Sequence, residues 1–278
     1  MKIPFAKAHG ARNDFLLTWA AYAPKENHRE LARAICDRHV GVGADGWLIV
    51  TPAPRGSDFH ASIQLYNSDG SDSEISGNGT RCAAAFLLDT GLDLASGEEV
   101  RIRTGAGLKT LRLLSRRGLH YEFEMNMGKP EGDPNKFLMT LTLEEGPRQV
   151  IAFRIGNPQC AVLVDHFDFD WRELGRRIEL HPQFPQRTNV SFVRVSDRHS
   201  LEVRFWERGA GETQSSGTGS AGAYVAARVL GLVESPVDVY TPAGILRVRQ
   251  DDDIYLQGPA EIVAGGEFYW ERNENGKP

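Results

Sequence analysis

Two serines, Ser76 and Ser216, stand half the chain apart in matching surroundings. Each opens a Ser-Gly-x-Gly turn, Ser76-Gly77-Asn78-Gly79 and Ser216-Gly217-Thr218-Gly219, that runs into an alanine-rich stretch. A Gly-Leu pair closes both stretches, at Gly91-Leu92 and Gly231-Leu232. Further on, Thr104-Gly105-Ala106-Gly107-Leu108 is echoed by Thr241-Pro242-Ala243-Gly244-Ile245. A glycine turn entering a helix offers unpaired backbone N–H groups at the positive end of the helix dipole. Glycine also removes the Cβ that would keep a ligand away from the backbone. Two such turns facing each other would cradle a carboxylate.

Other polar residues suit a small zwitterion. Asn13, Asn67, Asn157 and Asn189 each sit beside Gly, Asp, Pro or Thr, where a turn is expected. Glu207-Arg208 follows an apolar run and precedes Gly209-Ala210-Gly211, so the pair could meet an ammonium and a carboxylate at a cleft mouth.

The rest of the chain must position these groups. At 278 residues it is long enough for two domains with their own cores. A hydrophobic fraction of 41%, a charged fraction of 25% and abundant Gly and Pro describe a turn-rich globule. A net charge of −5 without a basic cluster argues against nucleic acid as partner. No apolar run approaches a membrane span, and the N-terminus has no secretory pattern. Three cysteines without metal-site spacing predict reduced thiols in a cytoplasm and no metal. Cys82 and Cys160 read as packing residues.

Alternating or β-branched runs predict strands at 63–66, 108–114, 119–125, 160–164, 190–195 and 201–205, with hairpin turns at 115–118 and 196–199. Helical periodicity marks 25–38, 80–89, 171–178 and 218–230. The second and fourth of these lack a charged face, which predicts burial all round. The expected fold is α/β (α+β): two pseudo-symmetric halves, 1–127 and 128–264, each an antiparallel barrel-like sheet around one central helix. The crossover is expected near 128–134, and the segment 265–278 is expected to join the first half.

The motifs Asn67-Ser68-Asp69-Gly70-Ser71, Ser76-Gly77-Asn78-Gly79-Thr80-Arg81-Cys82, Gly156-Asn157-Pro158 and Glu207-Arg208-Gly209-Ala210-Gly211-Glu212-Thr213-Gln214 together resemble the diaminopimelate epimerase family. His9-Gly10-Ala11-Arg12-Asn13-Asp14-Phe15 and Arg38-His39-Val40-Gly41-Val42-Gly43-Ala44-Asp45 are similar too, and the likeness runs in order from about residue 5 to 260. The resemblance implies cofactor-free epimerisation of LL-2,6-diaminopimelate to the meso isomer by two bases, one on each face of the α-carbon. It implies Ser76 and Ser216 at the base positions, which are cysteines in the family. It implies Gly77, Asn78, Gly217 and Thr218 around the α-carboxylate, and Asn13 and Glu207 at the amino group. Asn67, Asn157, Asn189 and Arg208 would hold the distal end. A homodimer is implied as well.

The sequence also departs from the family at Gly46, where Gln is usual, and at Gln159, where His is usual. A serine hydroxyl is a far weaker acid than a thiol, and each unit of mismatch costs about 1.4 kcal/mol. Three readings of the serines stay open. They were introduced to trap substrate; or a different base serves, with Glu74, Glu207 and His9 as candidates; or the chain is a divergent isomerase, racemase or lyase, or a binding protein without turnover.

Overall fold

The computed structural model describes residues 1–271. Four α-helices form: α1 (His28–Cys36), α2 (Gly77–Asp89), α3 (Trp171–Glu179) and α4 (Gly217–Val229). The first is shorter than its periodicity predicts. Asn27 enters it in the left-handed region (φ 63°), and Asp37 leaves in extended backbone, its carboxylate accepting from the N–H groups of His39 and Val40. Helices α2 and α4 begin at the glycine after each serine, earlier than the sequence pattern places α2. Almost every residue of both is buried, as their alanines allow.

Most of the remaining regular structure is strand. Lys2–Gly10 pairs with Asn13–Trp19, which pairs with Gly46–Pro52, then Ala61–Asn67, Glu99–Thr104, Gly107–Arg117 and His120–Gly128. The long strand Ile254–Tyr269 then joins His120–Gly128 back to Lys2–Gly10 and closes a barrel around α2. The second half repeats the order around α4. It runs from Leu138–Leu143 through Gly146–Ile155, Asn157–Leu163, Asn189–Asp197, Ser200–Glu207, Val237–Thr241 and Gly244–Gln250 to the same strand, Ile254–Tyr269. Glu131, just past the first barrel, bridges Arg154 of the second.

Each barrel is mostly antiparallel with two parallel pairs, and a parallel pair needs a crossover to return the chain to the same end. The helices are those crossovers. Helix α1 lies between Asn13–Trp19 and Gly46–Pro52, with Phe15 opposite Gly46, and α3 between Asn157–Leu163 and Asn189–Asp197, with Gln159 opposite Asn189. The duplication thus extends to register: Asn13 corresponds to Asn157, Gly46 to Asn189, Asn67 to Glu207 and Arg81 to Ala221. Both central helices share one continuous core, and α1 and α3 cover smaller apolar clusters outside it. Residues 265–269 pair with the first strand, while 272–278 lie outside the described residues.

Gly46 shows why that position is small. A Cβ there would lie 2.9 Å from the Tyr66 carbonyl oxygen, 3.1 Å from Leu65 Cδ1 and 3.2 Å from Phe15 Cδ1. Backbone cannot step aside, so Gly46→Ala should overpack the strand and destabilise the fold by about 1–3 kcal/mol. A urea titration checks this, since the midpoint should fall with the slope unchanged.

Candidate active site

Ser76 and Ser216 are the N-caps of α2 and α4. Both have extended backbone (φ −125° and −137°), and each Oγ accepts the N–H three residues on, from Gly79 at 3.1 Å and from Gly219 at 3.0 Å. The N–H groups of Gly77, Asn78, Gly217 and Thr218 have no helical acceptor, as first-turn groups do not. The two helix starts abut: a Cβ on Gly77 would sit 3.2 Å from the Cα of Gly217, and no larger residue fits without a shift.

Around this junction lies a cavity of about 340 Å³. All twelve residues singled out in the sequence line it: both serines, Asn13, Asn67, Gly77, Asn78, Asn157, Asn189, Glu207, Arg208, Gly217 and Thr218. The asparagines sit at strand ends rather than within turns, so their backbone is held by the ladders and the carboxamides are free to be aimed. Asn13 donates to Asp45 Oδ2 at 2.7 Å and accepts from Asn78 at 3.1 Å. Asn157 donates to Thr218 Oγ1 at 3.5 Å, the corresponding contact in the second half. Asn189 accepts from the Arg208 N–H at 2.9 Å and donates to the Pro158 carbonyl at 3.0 Å. Asn67 donates to Ser71 Oγ at 3.0 Å.

The two serines do not share one environment. Ser216 is buried, and its half of the cavity contains the Glu207 carboxyl. Burial pushes Glu207 up to about 7 against the pull of the Ser216 hydroxyl, with the charge of Asp45 adding to the rise. Ser76 is half-buried among Phe15, Leu65 and Ile75, which line the cavity where a side chain on Gly46 would otherwise reach. Of the other carboxylates lining the cavity, Asp45 is engaged by Arg38 and Asn13, Asp72 by Arg29 and Glu212 by Arg172.

The alternative bases suggested by sequence separate clearly. Glu74 is exposed and faces Arg208 Nη2 at 3.9 Å without lining the cavity. His9 lies elsewhere, 3.5 Å from Glu261, in a second hollow with His120. Of the three, only Glu207 reaches the site. Gln159 sits behind Asn157, to which it donates, and packs against Gly222. The cysteines are buried outside the cavity, and burial raises all three thiols, Cys36 and Cys82 to about 12. Among the described residues no group of His, Cys, Asp and Glu is placed to hold a metal, and no helix is long and apolar enough to cross a membrane.

The same duplicated barrel occurs in solved structures. A hydroxyproline epimerase from Agrobacterium vitis superposes with a TM-score of 0.74 at 14% identity, covering 96% of this chain and 92% of its own. A PhzF-family phenazine biosynthesis protein from Bacillus anthracis gives 0.68 at 14% identity, over 96% and 99%. Sequence narrows this further. The profile described as diaminopimelate epimerase matches residues 5–131 and 151–263, so the chain belongs to that family of isomerases. Proteins named diaminopimelate epimerase are 37% identical in Pelotomaculum thermopropionicum, over 95% of this chain and 98% of the relative. The Moorella thermoacetica relative is also 37% identical, with the same coverage.

Glu207 ties stability to pH. Its folded pKa lies above the ordinary carboxylate value, so the folded state holds the proton more tightly than the unfolded chain. Its contribution is present in full below about pH 4.5 and is lost as pH rises toward about 7. Denaturation of the native protein against Glu207→Gln should show the native advantage shrinking across that window. A constant difference would place the carboxyl in solvent.

Proposed function

We propose that this chain epimerises LL-2,6-diaminopimelate to the meso isomer by proton transfer at the α-carbon, without a cofactor. What carries the reading is one arrangement: an anion cradle at two abutting helix starts, a carboxyl at one of its faces, and asparagines with Arg208 farther out. The α-carboxylate would lie on the N–H groups of Gly77, Asn78, Gly217 and Thr218. Those groups would also stabilise the extra negative charge that develops on the carboxylate oxygens as the α-proton leaves. Asn13 and Glu207 would meet the ammonium, with Asn67, Asn157, Asn189 and Arg208 at the distal amino-acid head. The reaction would serve lysine and cell-wall precursor synthesis in a bacterial cytoplasm.

In this reading Ser216 and Glu207 form one base. Arrival of the substrate ammonium favours the ionised carboxyl. Glu207 can then take the Ser216 proton as Ser216 Oγ takes the α-proton, leaving neutral serine and a neutral carboxylic acid. Ser76 returns its hydroxyl proton from the opposite face, helped only by the Gly79 N–H and the α2 dipole, and solvent then reprotonates the Ser76 alkoxide while Glu207 gives up its proton. That face is therefore the slow one.

Incubating LL-diaminopimelate with the protein in D₂O and following the α-proton by NMR tests this. Loss of the signal together with appearance of the meso isomer is expected, with a rate that rises with pH through about 7. Ser76→Cys should speed epimerisation by about 100-fold or more, and Ser216→Cys by less, because Glu207 already assists there. No exchange, at a concentration where the ligand binds, would defeat the assignment. The apolar wall beside Ser76 favours a second reading, in which the Ser216 face both removes and returns the proton. Deuterium would then enter without inversion.

A further inference from the structure

Arg81 forms no salt bridge among the described residues, and the half-buried Glu122 carboxyl is the acidic side chain that acts on it through space. The Arg81 side chain is completely buried in the first third of α2. The Nε donates to the Pro259 carbonyl at 3.1 Å, one terminal nitrogen donates to the Asn78 Oδ1, and the other has no partner. That free nitrogen would lie 3.6 Å from a Cβ on Gly217, so the guanidinium reaches beneath the junction where the two helix starts abut. Room is made for it by glycine: a Cβ on Gly258 would come 3.0 Å from the Arg81 Cζ. Burial lowers its pKa to about 10, so it stays ionised at neutral pH. The duplication places Ala221 at the equivalent position of α4, and the cation is therefore a feature of one half only.

A buried cation without a salt bridge is unfavourable unless something compensates it. Here it adds to the positive ends of two helices aimed at the same cavity. We propose that Arg81 is a positioning residue that supplies the fixed positive charge of the carboxylate cradle and orients it through Asn78, with the bound carboxylate as its counter-charge. Asn78 transmits this: held by Arg81 at its oxygen, it donates to Asn13 at 3.1 Å and to the Ser215 carbonyl at 3.3 Å. The cradle then discriminates charge as well as shape. This rests on the carboxylate-binding part of the proposed function, and not on diaminopimelate as the substrate.

Two pairs of probes separate these questions. Calorimetry would compare meso-diaminopimelate with its α-monoamide, and thermal melts would compare acetate with acetamide at about 50 mM and constant ionic strength. In the native protein the carboxylate member of each pair should bind or stabilise better. Arg81→Gln should cut the preference for diaminopimelate over its amide by about 10- to 100-fold and remove the acetate shift. Equal weakening of both members, an unchanged preference, or no acetate shift in the native protein would overturn the proposal. If diaminopimelate fails to bind while an Arg81-dependent acetate shift persists, the substrate reading falls and the cradle assignment stands. Should Arg81→Gln not melt cooperatively, Arg81→Lys decides. It keeps the charge and loses the fork, so the carboxylate preference should survive within a few-fold. A purely structural role would weaken both probes together.

Discussion

The site depends on one contact, the meeting of two helix N-termini at Gly77 and Gly217. Helix starts carry like partial charges and repel, so bringing them to van der Waals distance is unfavourable in itself. The structure holds them there because each helix is the buried axis of its own barrel and the barrels are fused along a shared strand. The repulsion is what makes the junction attract an anion. Glycine at both positions, and serine caps that quench one N–H on each side, bring the backbone close while leaving other N–H groups free.

Duplication supplies a two-faced site, and divergence of the copies makes the faces unequal. Register shows where they parted. Asn67 stands opposite Gly46 as Glu207 stands beside Asn189, and Phe15 holds the place that Gln159 holds in the second half. In the first half Phe15, Leu65 and Ile75 line the cavity beside Asn67 and Asp72, and the second half carries the Glu207 carboxyl. A site with two cysteines needs no such division, because each thiol can titrate near neutrality by itself. In the proposed reaction the serines would need a neighbour's help, and Glu207 stands in one half only.

Much of this was legible in the sequence because helix starts are local. A Ser-Gly-x-Gly turn ahead of alanines specifies cap, close approach and burial within a few residues, and its repetition revealed the two halves. The asparagines, Glu207 and Arg208 came from separate turns and from the family resemblance. Other features depend on distant partners. Arg81 looked like one more motif residue, and one of its hydrogen-bond acceptors, the Pro259 carbonyl, lies 178 positions away. The acidity of Glu207 arises from the packing of the whole cleft. The strand Ile254–Tyr269 escaped notice because Gly258, Pro259, Gly265 and Gly266 read as turn residues. In the fold Gly258 makes room for Leu246 and Arg81, where a Cβ would lie 2.6 Å from the leucine.

That last strand also sets the order of assembly during synthesis. It closes the first barrel by joining Lys2–Gly10 to His120–Gly128, and it ends the second by pairing with Gly244–Gln250. The N-terminal half therefore emerges from the ribosome with two strand edges unsatisfied until residues 254–269 follow. Contacts of such long sequence separation fold slowly, and exposed edges invite association with other chains. One strand completes both barrels, so the core and the cleft between the two helix starts form together.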